Sequence, residues 1–143
     1  IKKLYEASAA GVKVQLVIRG ICCLIPQKKG LSENIEAISI VDSFLEHARV
    51  YWFANDGEER CYIASADWME RNLHRRIEVA CPIYDAKIRA EVKMMLDLQL
   101  RDNQKARFIR YEKVNAYKKN DEPALKSQIA IYQHFVEKSK VKS

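Results

Sequence analysis

Two glycines frame the run that most constrains the fold. Between Gly11 and Gly20, "VKVQLVIR" starts by alternating polar and apolar residues and then becomes almost continuously apolar. Such a run suits a strand with at least one well-buried face. Upstream, "IKKLYEASAA" sets Ile1, Leu4, Tyr5 and Ala9 at helical spacing, and Gly11 ends that helix. A helix feeding a buried strand, repeated along a chain, demands layers of helix on sheet.

The pattern repeats. "ICCLIPQKKGLSEN" reads as a loop, marked by Pro26, Lys28, Lys29 and Gly30. Ser32 with "ENIEAISIVDSFLEH" predicts a capped helix, with Ile35, Ile38, Val41 and Leu45 along one side. "RVYWFAND" and "RCYIASAD" predict a hairpin around Asp56-Gly57. "WMERNL" predicts a short helical turn that Ser65 or Asp67 would cap. "RIEVACPI" predicts a strand closed by Pro82. "DAKIRAEVKMMLDLQL" predicts an amphipathic helix that turns Ile88, Val92, Met95 and Leu98 to the core. "EPALKSQIAIYQHFVEKSK" predicts a last helix with Pro123 in its first turn. The expectation is an α/β domain with a mixed central sheet flanked by helices and a helical C-terminal tail.

A length of 143 residues suffices for one compact domain, and the chain, which begins at Ile1, reads as a piece of a longer protein. No apolar run is long enough to span a bilayer as a helix. Cys22, Cys23, Cys61 and Cys81 lack a C-x-x-C spacing and sit among apolar residues, as buried thiols of a reducing cytoplasm do. No metal-ligand set is read from the sequence. Acidic and basic residues balance over 1–100, so the net charge of +6 falls wholly in residues 101–143. That basic tail suits either a solvated helical surface or a polyanion.

Several groups could carry chemistry. Arg19 ends the buried strand, where an α/β sheet collects ligands, and its planar fork matches phosphate oxygens. It equally suits a surface residue beside a core strand. His47 and Arg49 stand two apart before the run "VYWF", so in extended chain they share a face. A histidine there can move protons or take a phosphoryl group, and can equally close a helix. Ser65, Asp67 and Asn72 surround a strand-to-turn junction, where capping is their usual role. Arg76 and Glu78 share a strand face in the predicted extended run.

Their order carries more than any one of them. His-x-Arg, then "IASADW", then a strand with Glu resembles half of a phospholipase D superfamily site, which has His-x-Lys, a Gly-Ser-x-Asn turn and a later acidic residue. Arg49 stands where lysine is usual, Ala64 where glycine is, and Asp67 where asparagine is. "RGICCL", "GLSENI", "FLEHAR" and "SADWMERN", in this order, resemble more closely the C-terminal part of bacterial polyphosphate kinases of the first type. The likeness runs from Ile1 to about Leu100 and continues weakly through "KARFI" and "AIYQHF".

The resemblance implies a phospholipase D-like catalytic domain over 1–100, with 101–143 as a basic helical tail of the same domain. It implies an enzyme that moves the terminal phosphate of ATP reversibly onto inorganic polyphosphate, with magnesium, through a phosphohistidine on another domain. His47 would lie near the transferred phosphate, Arg19 on nucleotide phosphates, and Arg49 and Arg76 on polyphosphate. Magnesium ligands and the phosphorylated histidine would come from outside the chain. Its partners would be ATP or ADP, polyphosphate, and the N-terminal, head and first catalytic domains of the same protein, in a homo-oligomer and without nucleic acid. The location implied is cytoplasmic, with membrane association compatible with the family. The chain alone is then expected to be inactive. The alternative is a degenerate phospholipase D-like module that binds nucleic acid or another polyanion.

Overall fold

The structure is a computed structural model that describes residues 1–111 and 115–140, so residues 112–114 and 141–143 of the basic tail lie outside the described residues. The elements run α1 (Lys2–Ala9), β1 (Val14–Val17), β2 (Ile35–Ile40), β3 (Val50–Phe53), β4 (Arg60–Ala64), α2 (Glu70–Arg75), β5 (Ala80–Pro82), α3 (Ala86–Arg101), β6 (Ala106–Phe108) and α4 (Ser127–Lys140). The mixed α/β class is the expected one. The described strands form two three-stranded sheets, one mixed and one antiparallel. Each belongs to its own compact unit, residues 1–46 with 95–143, and residues 47–94.

The first unit holds the sheet β1-β2-β6. α1 stops where Gly11 takes a φ of +86°, a value that glycine adopts without strain. β1 runs parallel to β2, from Val14 opposite Ile35 to Val17 opposite Ile38. β6 pairs antiparallel on the other side, with Ile38 opposite Phe108 and Ile40 opposite Ala106.

The segment after Ser32 is therefore a strand and not the capped helix that its spacing suggests. β2 is central, with Ile35, Ala37, Ile38 and Ile40 all at 1% exposure or less. A strand buried on both faces loses its period-two alternation, so its apolar positions also satisfy a helical pattern. Burying each isoleucine contributes about 2–3 kcal/mol. Val41 and Leu45, the rest of the supposed helical stripe, are exposed. Ser32 braces the preceding loop instead: its hydroxyl donates to the Ile25 carbonyl at 2.5 Å and accepts the Lys28 N–H at 3.1 Å.

β6 and α4 meet at Asp102, which is fully buried. Asp102 Oδ1 accepts the N–H groups of Gln104, Lys105 and Ala106, while Oδ2 accepts both the N–H and the hydroxyl of Ser127 at 2.7 and 2.8 Å. A carboxylate at the first turn of α4 satisfies donors that the helix cannot. α4 starts at Ser127, so Pro123 precedes it rather than sitting in its first turn. The Pro123 carbonyl accepts a hydrogen bond from Asn103 Nδ2 at 3.1 Å.

The second unit is the meander β3-β4-β5. Val50 faces Ile63 and Phe53 faces Arg60 across the predicted hairpin. Asn55, Asp56 and Gly57 all take positive φ at its apex, the conformation that Asn, Asp and Gly tolerate best. β5 pairs with β4, Ala80 opposite Ala64. α3 begins in this unit with Asp85 Oδ1 accepting the N–H groups of Lys87 and Ile88 at 2.8 and 2.9 Å. Its predicted core face is only partly sheltered: Val92, Met95 and Leu98 are half-buried, and Ile88 is exposed.

Candidate functional site

The second unit gathers most of the residues singled out in the sequence. His47 lies in irregular chain between β2 and β3, where no helix ends, so it is not a helix-closing residue. Arg49 is already tied to the sheet, because its carbonyl accepts the Ala64 N–H at 2.9 Å. Its guanidinium then reaches three partners. Nε donates to Asp67 Oδ1 at 2.8 Å, Nη1 to the His47 carbonyl at 3.4 Å, and Nη2 faces His47 Nε2 at 3.1 Å. The bond with Asp67 holds Arg49 even more firmly protonated than an ordinary arginine.

A second polar cluster lies at the β4–α2 junction. Ser65 donates to Glu78 Oε2 at 2.5 Å, and Asn72 Nδ2 donates to Oε1 at 2.7 Å. The Ser65 hydroxyl also accepts the Val79 N–H at 3.0 Å. The Ser65 and Asn72 bonds, and then the charges of Arg76 and Arg49, keep the Glu78 carboxyl below its ordinary range. Neither Ser65 nor Asp67 caps α2, whose N-cap is Met69 without a side-chain bond. Their side chains turn to Glu78 and Arg49 instead.

Arg76, just past α2, adds charge beside Glu78, though both Glu78 oxygens are held by Ser65 and Asn72. Tyr51 stacks on Trp68 with ring centroids 5.3 Å apart and donates to the Ala66 carbonyl at 3.1 Å. Burial pushes the Tyr51 phenol up from its ordinary value. The charges of Arg49 and Asp67 act on Tyr51, and sequence reading missed this aromatic pair because an aromatic strand residue usually signals packing alone.

Arg19 belongs to the first unit. It is exposed, two residues beyond β1, and lines a crevice of about 210 Å³ with Ile40, Asp42, Ser43 and Phe44. Asp42 is buried there between Lys126 at 3.2 Å and Lys105 at 3.7 Å. Burial pushes its carboxyl up, and the Lys126 hydrogen bond and the lysine charges outweigh that, leaving it below the ordinary value. Crevices beyond the carboxyl ends of parallel strands are where such folds bind ligands. Among the described residues no three His, Cys, Asp or Glu side chains converge on a metal position. No described helix is long and apolar enough to cross a membrane.

Sequence reasoning missed the support for the segment leading to His47. Gln128, on α4, accepts the Phe44 N–H and donates to the Phe44 carbonyl, both at 2.8 Å. Its Nε2 also donates to Glu46 Oε1 at 2.8 Å, and Gln99 Nε2 donates to Glu46 Oε2 at 3.0 Å. No local sequence signal marks these bonds, since Phe44 and Gln128 are 84 positions apart.

A family model described as polyphosphate kinase C-terminal domain 2 matches residues 1–128. Polyphosphate kinase of Vibrio vulnificus is 50% identical over 135 residues, covering 94% of this chain and 19% of that protein. Polyphosphate kinase of Escherichia coli K12 is 46% identical over 135 residues, covering 94% of this chain and 20% of that protein. The crystal structure of polyphosphate kinase from Porphyromonas gingivalis superposes with a TM-score of 0.93 at 47% identity, over 97% of this chain and 22% of that one. The chain thus spans about a fifth of the length of these relatives. Its phospholipase D-like α/β fold and its match over nine-tenths of its length lead to one conclusion: the chain belongs to the polyphosphate kinase family, as its C-terminal domain 2.

Proposed function

We propose that this chain supplies one half of a site for reversible transfer of the terminal phosphate of ATP to inorganic polyphosphate. The observation that carries the reading is the assembly of His47, Arg49 and Asp67 beside Ser65, Asn72 and Glu78, in a chain that matches polyphosphate kinases. Phosphoryl transfer asks a protein for positioning and for cations around the equatorial oxygens more than for covalent help. A guanidinium fixed by a carboxylate is preorganised for that task.

In this reading the phosphoryl group passes from ATP to a histidine outside this chain, releasing ADP. It then passes to the end of a polyphosphate chain, freeing that histidine. His47 transfers a proton or stabilises the leaving oxygen. Arg19 contacts nucleotide phosphates, and Arg49 and Arg76 contact polyphosphate. Magnesium, with ligands from the rest of the protein, supplies further charge neutralisation. Residues 101–143 act with 1–100 as one functional domain, in a cytoplasmic homo-oligomer that also carries the N-terminal, head and first catalytic domains. The polyanion-binding alternative rests on the tail charge alone.

The test uses a complete polyphosphate kinase that contains this chain. In His47→Ala, phosphohistidine still forms while ATP-dependent polyphosphate synthesis is lost. Full retention of synthesis overturns the assignment.

A further inference from the structure

His47 meets Arg49 through one particular nitrogen. Arg49 Nη2 lies 3.1 Å from Nε2 of the ring, and its Nη1 lies 3.4 Å from the carbonyl of the same residue. The guanidinium is steered into that place by Asp67, whose Oδ1 accepts from Nε at 2.8 Å. Two ladder contacts set the backbone for this meeting. Ala64 N–H binds the Arg49 carbonyl and Ser65 N–H binds the Val79 carbonyl, both at 2.9 Å. These bonds fix Arg49 and the strand end from which Asp67 follows. The Arg49 side chain is 20% exposed, so most of it is held within the unit.

A guanidinium has donors only and does not lose its proton. A ring nitrogen that faces a guanidinium N–H must therefore present its lone pair. In a neutral imidazole the single proton then sits on the other nitrogen, Nδ1. We propose that Asp67 and Arg49 are positioning residues that fix His47 as the Nδ1–H tautomer, so that His47 acts on phosphate as a hydrogen-bond donor through Nδ1.

The inference deepens the function proposed above and rests on the reading that His47 takes part in the transfer. It also assigns a chemical character. With Nε2 engaged by Arg49 and Nδ1 carrying the proton, neither nitrogen offers a free lone pair. The ring is thus poised to donate a hydrogen bond to a phosphate oxygen, including a leaving one, and not to attack phosphorus. A donor aimed at a developing negative charge is the form of stabilisation this chemistry uses most. His47 is an exposed residue, as contact with a chain-like anion requires.

The tautomer can be read without any turnover, so the result does not depend on the His47→Ala experiment. In two-bond proton–nitrogen correlation spectra of the isotope-labelled chain, at an alkaline pH where imidazole is neutral, His47 should give the Nδ1–H pattern. A free histidine side chain favours Nε2–H, so an Nε2–H pattern in the unaltered chain overturns the proposal outright. Arg49→Met should move His47 to Nε2–H while leaving the backbone amide spectrum folded. Asp67→Asn, which keeps an oxygen for Arg49 and removes the charge, should shift the same signals partway. An Nδ1–H pattern that survives both substitutions removes Arg49 and Asp67 from the role and also overturns the proposal.

Discussion

Gln128 binds the Phe44 peptide from both sides, accepting its N–H and donating to its carbonyl at 2.8 Å each. The side-chain amide imitates a neighbouring strand for one residue. It is 5% exposed, and the same Nε2 also reaches the Glu46 carboxylate, one residue before His47. The unit's C-terminal helix thereby holds the chain segment that leads into the site. Gln128→Leu keeps the volume and leaves the Phe44 peptide and one Glu46 oxygen short of partners. A loss of about 2–4 kcal/mol follows from unsatisfied groups of this kind. Urea denaturation of the chain, read as a shift in midpoint at constant slope, checks it. Gln128→Glu adds a like charge beside Glu46, so its penalty should shrink as pH falls and the carboxylates protonate.

Asp102 gives the fold an acid-sensitive joint. Burial pushes its carboxyl up, but the N–H groups of Lys105, Ser127 and Ala106 and the Ser127 hydroxyl outweigh that and leave it below the ordinary value of 3.8. A carboxyl depressed in the folded state stabilises the protein above its unfolded pKa, and that stabilisation is lost as pH falls through the folded value. Stability of the unaltered chain should therefore drop on acidification below about pH 4. Asp102→Asn presents an NH2 group to donors that need an acceptor. It should cost about 3 kcal/mol at neutral pH and flatten the acid limb of the stability curve. Denaturation midpoints measured across the acid range test both statements.

The sequence was most readable where local chemistry decides the outcome. The Asp56-Gly57 turn, the β1 run between two glycines and the α3 helix each carry their own signal, and each forms where expected. β2 was misread because burial on both faces breaks the period-two alternation, and the three-residue spacing of Ile35 and Ile38 then fits a helix. β6 was missed because three residues, Ala106–Phe108, carry too little pattern, and their state is set by pairing with Ile38–Ile40. In the site, residue identities were legible and their partners were not. Ser65 and Asp67 have the types expected of caps, and only the folded chain turns them to Glu78 and Arg49.

The hairpin apex offers a simple backbone test. Gly57 has a φ of +90°, with open space where a Cβ would stand, so Gly57→Ala creates conformational strain and no clash. The expected loss is about 1–2 kcal/mol. Asp56, at φ +53°, already tolerates the left-handed region, and Asp56→Gly should be neutral within about 0.5 kcal/mol or slightly stabilising. Thermal midpoints of the two variants should therefore move unequally, with Gly57→Ala much the lower.

The chain by itself should make no ATP from polyphosphate and ADP. In the proposed reaction the residues around His47 would provide a hydrogen-bond donor, cations and a carboxylate network, all acting on a phosphate already held in line. In that reaction the phosphoryl group rests on a histidine outside the chain, and the magnesium ligands come from the rest of the protein. Without those parts the cations here can bind an anion but have no transfer to stabilise. The rate gained by holding the two reactants together in line is lost as well. The assay mixes purified chain with polyphosphate, ADP and magnesium and follows ATP by a luciferase readout. A rate that tracks chain concentration, and that disappears in His47→Ala, would show that these residues catalyse transfer unaided, and would require the phosphoryl acceptor to lie within this chain.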